Sequence, residues 1–277
     1  MTAPPIKMLA LDLDGTVFRN DKTISQHTKD AIAAAIAKGV VVIPATGRAL
    51  NGLPEEILAL EGIQYALTSN GAAIWSLKDR KKLVDLPFST QDTIAAMELM
   101  EAYDCMLDVY LDGKVYTSFS MLAKAETFAP PEMLEYVRKT RTAMENPKQY
   151  IVENGYRAEK VTMFFRDEQQ RQKAIAQAQA LPWIEPTSSV PGNLELNAAG
   201  VDKGKGLGKL AEFLQIPIEQ VMACGDGGND IAMLQTAGWG VAMGNAPLEV
   251  QQAAKAVTLT NQQDGVAHAI ETYILSI

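Results

Sequence analysis

The sequence predicts an α/β protein whose parallel-sheet core is interrupted by an inserted α+β domain. Three observations lead there. Apolar runs at 8–11, 40–43 and 65–68 each end in a polar or glycine-rich loop, and segments of helical spacing separate them. Hairpin-like patterning takes over in the middle of the chain. From Leu194 the strand–helix alternation returns. Such alternation gives a parallel sheet with right-handed crossovers, whose ligand crevice lies at the carboxyl ends of the strands.

Met8, Leu9, Ala10 and Leu11 read as a strand buried on both faces, and it runs into two acids, Asp12 and Asp14, followed by Gly15. Residues two apart point the same way in a strand, so the two carboxylates project together if the strand continues to them. Like charges in one crevice push their proton affinities apart, and a divalent cation relieves the repulsion. A bare D-x-D-G reads equally well as a strand entering a turn whose acids cap backbone groups, so the rest of the chain must decide.

Ser25 is the expected N-cap of a helix through Lys38, closed by Gly39. Val40 to Ile43 is the next strand and leads into P-A-T-G-R, which places Thr46, Gly47 and Arg48 at its carboxyl end. Leu53, Ile57 and Leu60 have helical spacing, and Tyr65 to Thr68 is expected as a third parallel strand, ending at Ser69, Asn70 and Gly71. Hairpins are expected from Ala72 to Leu86 and from Cys105 to Thr117, then a strand at Val161 to Phe165, a helix at 167–180 and a short strand before Pro191-Gly192. This places the inserted domain at 84–192 and the core at 1–83 and 193–277. In the last part, D-K-G opens a helix at Lys203, and the short strand Val221 to Cys224 ends in G-D-G-G-N-D.

The composition is that of a globular protein able to bury a core: 277 residues, 47% hydrophobic and 21% charged. A net charge of −8 argues against nucleic acid or an anionic membrane as a partner. Cys105 and Cys224, far apart in sequence, imply neither a disulfide framework nor a zinc cluster, and with no apolar leader or span at the N-terminus a cytoplasmic location is expected.

Taken in order, D-L-D-G-T at 12–16, A-T-G-R at 45–48, D-K-G at 202–204 and G-D-G-G-N-D at 225–230 resemble the four motifs of the haloacid dehalogenase superfamily. T-S-N-G-A at 68–72, A-M-G-N-A at 242–246 and D-G-V-A at 264–267 make its Cof-type phosphatases the nearer resemblance. The resemblance implies a Rossmann-like core with an α+β cap inserted between the second and third motifs. It implies a magnesium-dependent phosphatase that acts on small phosphorylated metabolites (sugar phosphates, nucleotides or cofactor phosphates) through an aspartyl-phosphate.

In that reading Asp12 is the nucleophile and Asp14 the general acid and base. Thr46 and the Gly47 amide bind phosphoryl oxygens, and Lys203 balances the charge. Asp12, the Asp14 carbonyl and Asp226 hold Mg2+, while Asn229 orients phosphate or a metal-bound water and Asp230 anchors Lys203 or the loop. Arg48 and Asn70 are candidate substrate contacts, with an ordinary surface-loop role as the alternative for each. A phosphomutase on the same scaffold, or a phosphate-ligand sensor that has lost catalysis, are the other functions considered; the second expects a broken motif, and Asp12, Asp14, Lys203 and Asp226 are all present. The methionines of the insert are expected to pack its core, and His27 and His268 lie apart from every motif. Oligomeric state is not read from the sequence.

Overall fold

The computed structural model describes residues 5–276. In chain order the strands are β1 (Met8–Leu11), β2 (Val41–Pro44), β3 (Tyr65–Thr68), β4 (Ala73–Ser76), β5 (Lys81–Asp85), β6 (Cys105–Leu111), β7 (Lys114–Ser118), β8 (Arg141–Met144), β9 (Lys160–Phe165), β10 (Ile184–Thr187), β11 (Asn193–Ala198), β12 (Val221–Gly225), β13 (Trp239–Ala242) and β14 (Ala256–Val257). The chain divides into two compact units. The first comprises the residues up to Thr46, Leu53–Val84 and Asp202 onward; the second comprises Gly47–Gly52 and Asp85–Val201.

The first unit is built on a parallel five-stranded sheet in the order β14-β13-β12-β1-β2. Met8 lies beside both Val41 and Val221, so β1 is flanked on both edges, and its four residues are all buried, as an unbroken apolar run requires. Met8, Ala10, Ile43, Leu207, Leu210, Val221, Ala223 and Leu234 share one core cluster. The helix Gln26–Ala37 begins where Ser25 caps it, its hydroxyl accepting the Thr28 N–H at 3.0 Å.

Tyr65–Thr68, expected as a third parallel strand, instead heads an antiparallel sheet ordered β3-β4-β5. A single parallel bridge, Ala45 with Leu67, ties it to the chain leaving β2. The Leu67 carbonyl accepts the Thr46 N–H at 2.9 Å in that parallel contact, while the strand's full ladder is the antiparallel one with Ala73–Ser76.

The second unit carries a six-stranded sheet in the order β10-β11-β9-β6-β7-β8. Its pairs are antiparallel except β7 with β8. On one face Val109, Leu111, Val161, Met163, Leu194 and Leu196 pack with Ala96, Met97 and Met100 of the helix Thr90–Glu101, Ile151 of Pro147–Asn154, and Ala174 of Glu168–Gln179. The alternate positions Asp108, Tyr110, Lys160, Thr162, Glu195 and Asn197 are also buried, so the second face carries enclosed polar groups beside a small apolar cluster around Met106 and Phe164. Buried charge of this kind must be paired within the unit. Arg141 donates through Nε to Asp108 at 2.8 Å, and the Lys160 ammonium lies 3.1 Å from Glu195.

Three boundaries differ from those read in the sequence, the first by a single residue, since Val84 belongs to the first unit. Residues 193–201, expected in the core, belong to the second unit: β11 pairs with β9 and β10, and its alternation of Leu194 and Leu196 with Asn193, Glu195 and Asn197 matches the two faces of that sheet. Residues 47–52, also expected in the core, belong to the second unit as well, where the Asn51 side chain donates to the Thr140 carbonyl at 3.0 Å. No helix among the described residues is long and apolar enough to cross a membrane.

Candidate active site

β1 and β12 are parallel neighbours from which the sheet runs in opposite directions, β2 on one side and β13 and β14 on the other. Loops leaving such a pair diverge and open a crevice at the strand ends. Asp12 leaves β1 with its N–H on the Cys224 carbonyl at 3.0 Å, and Asp226 follows β12 directly.

Lys203 is the first residue of the helix Lys203–Phe213, whose N-cap Asp202 accepts the Lys205 N–H at 2.7 Å. Gly206 lets this helix lie against the turn after β3, since a Cβ there would fall 2.7 Å from the Gly71 Cα. The side chain of Lys203 is fully buried, and Nζ donates to Asp12 Oδ1 and to Asp230 Oδ1, each at 2.6 Å. The other oxygen of Asp230 accepts the N–H groups of Asp226 at 3.0 Å and Gly227 at 2.9 Å. Asp230 thus anchors both the lysine and the loop that carries Asp226.

Asp226 Oδ1 accepts the Thr16 hydroxyl at 2.8 Å. Asn245 Nδ2 donates to the Gly15 carbonyl at 2.9 Å and lies 3.4 Å from Asp226 Oδ2. Gly15 is in the left-handed region at φ +88, and a Cβ there would fall 2.2 Å from Asp226 Oδ2, so this turn admits only glycine without displacement.

Burial pushes the Asp12 carboxyl well above the usual carboxylate range; Asp230 adds to the rise and Lys203 opposes it. Burial likewise raises Asp226 to about 6, with the Thr16 hydroxyl acting against it and Asp230 with it. For Lys203 burial favours the neutral amine, but Asp12 and Asp230 outweigh it and the net shift is upward. Asp12, Asp226 and Asp230 each offer an oxygen within 4.8 Å of the others. This cluster is able to hold a metal ion: three carboxylates around one ammonium leave an excess of negative charge, and an all-oxygen donor set suits a hard divalent cation. Asp230 is already bonded to Lys203 and two N–H groups.

β1 stops at Leu11, so strand alternation does not govern the two acids that follow, and they have different partners. Asp14 Oδ1 accepts from Lys22 Nζ at 3.0 Å, with the Asp14 side chain 33% exposed. Thr46 is buried; its N–H donates to the Leu67 carbonyl at 2.9 Å and its own carbonyl accepts the Asn70 N–H at 3.1 Å. Asn70, left-handed at φ 56, accepts from Asn229 Nδ2 at 3.3 Å, so Thr46, Asn70 and Asn229 are joined within the first unit. Gly47 and Arg48 lie in the second unit. There the Gly47 carbonyl accepts from buried Lys160 at 2.6 Å, and the Arg48 guanidinium sits 4.4 Å from the centre of the Tyr136 ring and donates to the Gly52 carbonyl at 3.3 Å.

Thr16, Lys22 and Asn245 contact this constellation without having been singled out in the sequence. Thr16 stands inside D-L-D-G-T and Asn245 inside A-M-G-N-A, which follows the carboxyl end of β13, so both lay in motifs already read from the sequence, without a role assigned to either residue.

A profile of the haloacid dehalogenase-like hydrolases matches residues 9–270. The chain is 32% identical to the 5-amino-6-(5-phospho-D-ribitylamino)uracil phosphatase YcsE of Bacillus subtilis, over 98% of this chain and 96% of that protein. It is 28% identical to YwpJ, a phosphatase of the same organism, over 96% and 99%. Among solved structures it resembles the phosphatase BT1666 of Bacteroides thetaiotaomicron, at 29% identity and a TM-score of 0.78, covering 97% of this chain and 95% of that one. A haloacid dehalogenase-like hydrolase from B. subtilis matches at 25% identity and a TM-score of 0.83, over 96% and 99%.

Proposed function

Because the chain belongs to the haloacid dehalogenase-like hydrolase family and is a phosphatase of that superfamily, we propose that it hydrolyses small phosphorylated metabolites with Mg2+ through an aspartyl-phosphate on Asp12. The observation that carries this reading is the buried Lys203 ammonium bonded at 2.6 Å to both Asp12 and Asp230, with Asp226 in the same cluster. It sets the Asp12 carboxyl against a fixed cation that favours its ionised form, the form that attacks an anionic phosphate ester.

A carboxylate oxygen of Asp12 forms a bond to phosphorus as the ester oxygen leaves, and Asp14 gives that oxygen its proton. Asp14, now ionised, takes a proton from water, whose oxygen displaces Asp12 and releases phosphate. Thr46 and the Gly47 N–H hold phosphoryl oxygens, with Asn229 orienting them, and Lys203 offsets the charge gathered at Asp12. Asp12, Asp226 and the Asp14 carbonyl would hold Mg2+, which would supply charge neutralisation at the phosphoryl group. Arg48 and Asn70 are assigned to substrate recognition.

The substrate class is a small phosphate monoester of a sugar, polyol, nucleotide or cofactor. The name of the YcsE relative makes 5-amino-6-(5-phospho-D-ribitylamino)uracil the first compound to test. The net charge of −8 supports a small-molecule partner over a nucleic acid. Two free, buried cysteines support a reducing, cytoplasmic setting.

The test is phosphate release from a panel of such esters and an aryl phosphate, with magnesium and with chelator, for the wild type, Asp12→Asn and Asp14→Asn. Metal-dependent release that vanishes in both variants, with unchanged circular dichroism, is expected. Near wild-type rates in either variant would refute the assigned roles.

A further inference from the structure

Asn245 stands in A-M-G-N-A, a motif to which the mechanism above gives no task. Its carboxamide is fully employed: Oδ1 accepts the Asn261 N–H at 2.8 Å, and Nδ2 donates to the Gly15 carbonyl at 2.9 Å and approaches Asp226 Oδ2 at 3.4 Å. The Asn261 side chain in turn donates to the Phe18 carbonyl at 2.9 Å and to Asn20 Oδ1 at 3.1 Å. The loop that leaves β1 and the carboxylate that follows β12 are therefore held against a third loop, the one after β13, through a single side chain.

Each oxygen of Asp226 then has a contact that limits its rotation, Thr16 on Oδ1 and Asn245 on Oδ2. The same Nδ2 that approaches Oδ2 donates to the Gly15 carbonyl, so the loop after β1 and the carboxylate share one anchor, and there is no room for a Cβ on Gly15 beside Oδ2. Groups that hydrogen-bond a metal-ligating carboxylate fix its orientation, and their loss typically weakens metal binding 10–100-fold.

We propose that Asn245 is a positioning residue for the metal-binding end of this site, setting Asp226 and the Gly15 peptide together in the geometry that takes a divalent cation. This rests on the metal-dependent reading above. Its hydrogen bonds run to Gly15, Asp226 and Asn261, so it acts through Asp226 and the loop after β1.

The experiment is manganese(II) binding to the purified full chain without substrate, read by electron paramagnetic resonance of the free ion, for wild type and Asn245→Ala. The dissociation constant is expected to rise about 10–100-fold. The magnesium concentration for half-maximal phosphate release should rise in parallel, while kcat at saturating metal stays within about threefold of wild type. Should Asn245→Ala fail to fold, Asn245→Ser, whose hydroxyl is too short to reach Gly15, carries the same expectation. An unchanged manganese constant overturns the proposal, and so does a kcat that falls at saturating metal with binding intact. A wild type that binds manganese but releases no phosphate defeats the phosphatase mechanism, and the binding comparison still decides the role of Asn245. A wild type that binds no manganese overturns the proposal itself.

Discussion

Lys203→Met keeps the length of the buried side chain and removes the ammonium that Asp12 and Asp230 share at 2.6 Å. In chelator at pH 7.5 the cluster of Asp12, Asp226 and Asp230 is left without its bonded cation. Removing one partner of a buried ion pair destabilises by about 3–5 kcal/mol, because the remaining charge stays desolvated. At about 2–4 °C per kcal/mol for a unit of this size, the first unit should melt about 6–20 °C lower. The deficit must shrink at pH 5.5: burial already raises Asp12 and Asp226, and without the ammonium they take up protons instead. Saturating magnesium should narrow it too, by restoring positive charge. Differential scanning calorimetry of wild type and variant at both pH values, with and without metal, is the assay. A variant that melts with the wild type at pH 7.5 in chelator, or whose deficit grows on acidification, would refute the electrostatic account. Phosphate release should fall at least about a hundredfold even with magnesium saturating, since the charge at the nucleophile is then unbalanced in the transition state.

The remaining predictions concern the same two units. Asp226 is held at about 6 in the folded chain, above an ordinary carboxylate value of about 3.9, so between those limits the folded state binds the extra proton. In chelator the melting point of the wild type relative to Asp226→Asn should therefore fall as pH rises from 4 to 6.5; a flat difference would count against the raised value. Gly15→Ala brings a methyl group to 2.2 Å from Asp226 Oδ2 at φ +88. The strain should remove about 1–3 kcal/mol and weaken manganese binding, and wild-type values for both would show that the turn yields freely. Arg141→Met leaves Asp108, fully buried and with Oδ1 already lacking a hydrogen-bond partner, without its cation at 2.8 Å. The second unit should lose about 3–5 kcal/mol, part of it regained by adding Asp108→Asn; no recovery in the double variant would mean that the loss is one of packing rather than charge.

Motif-bearing strand ends were legible in the chain because their signal is local. Four apolar residues at Met8–Leu11 bounded by acids specify a buried strand, and Ser25 specifies the start of a helix through its own hydroxyl and the Thr28 N–H. The residue types at those ends, carboxylates and an amide, and the lysine that opens the helix at Lys203 marked the candidate site residues, though a bare D-x-D-G also fits a capping turn. Which sheet a strand joins is a different kind of information. Asn193–Ala198 has the alternation of a half-apolar strand in any sheet, and only pairing with β9 and β10 assigns it to the second unit. Tyr65–Thr68 is apolar enough for a parallel sheet, yet its ladder is antiparallel, with Ala73–Ser76. The partners of charged groups were likewise decided only in three dimensions. Lys203 meets Asp12 across 191 residues and Thr16 meets Asp226 across 210. Gly47 and Arg48, one and two residues after Thr46, belong to another unit and engage Lys160 and Tyr136 there. Local sequence carries propensity, periodicity and chemical type; the desolvation that ties a buried ammonium to particular carboxylates comes only from the packing of distant segments, and it is the tertiary structure that supplies it.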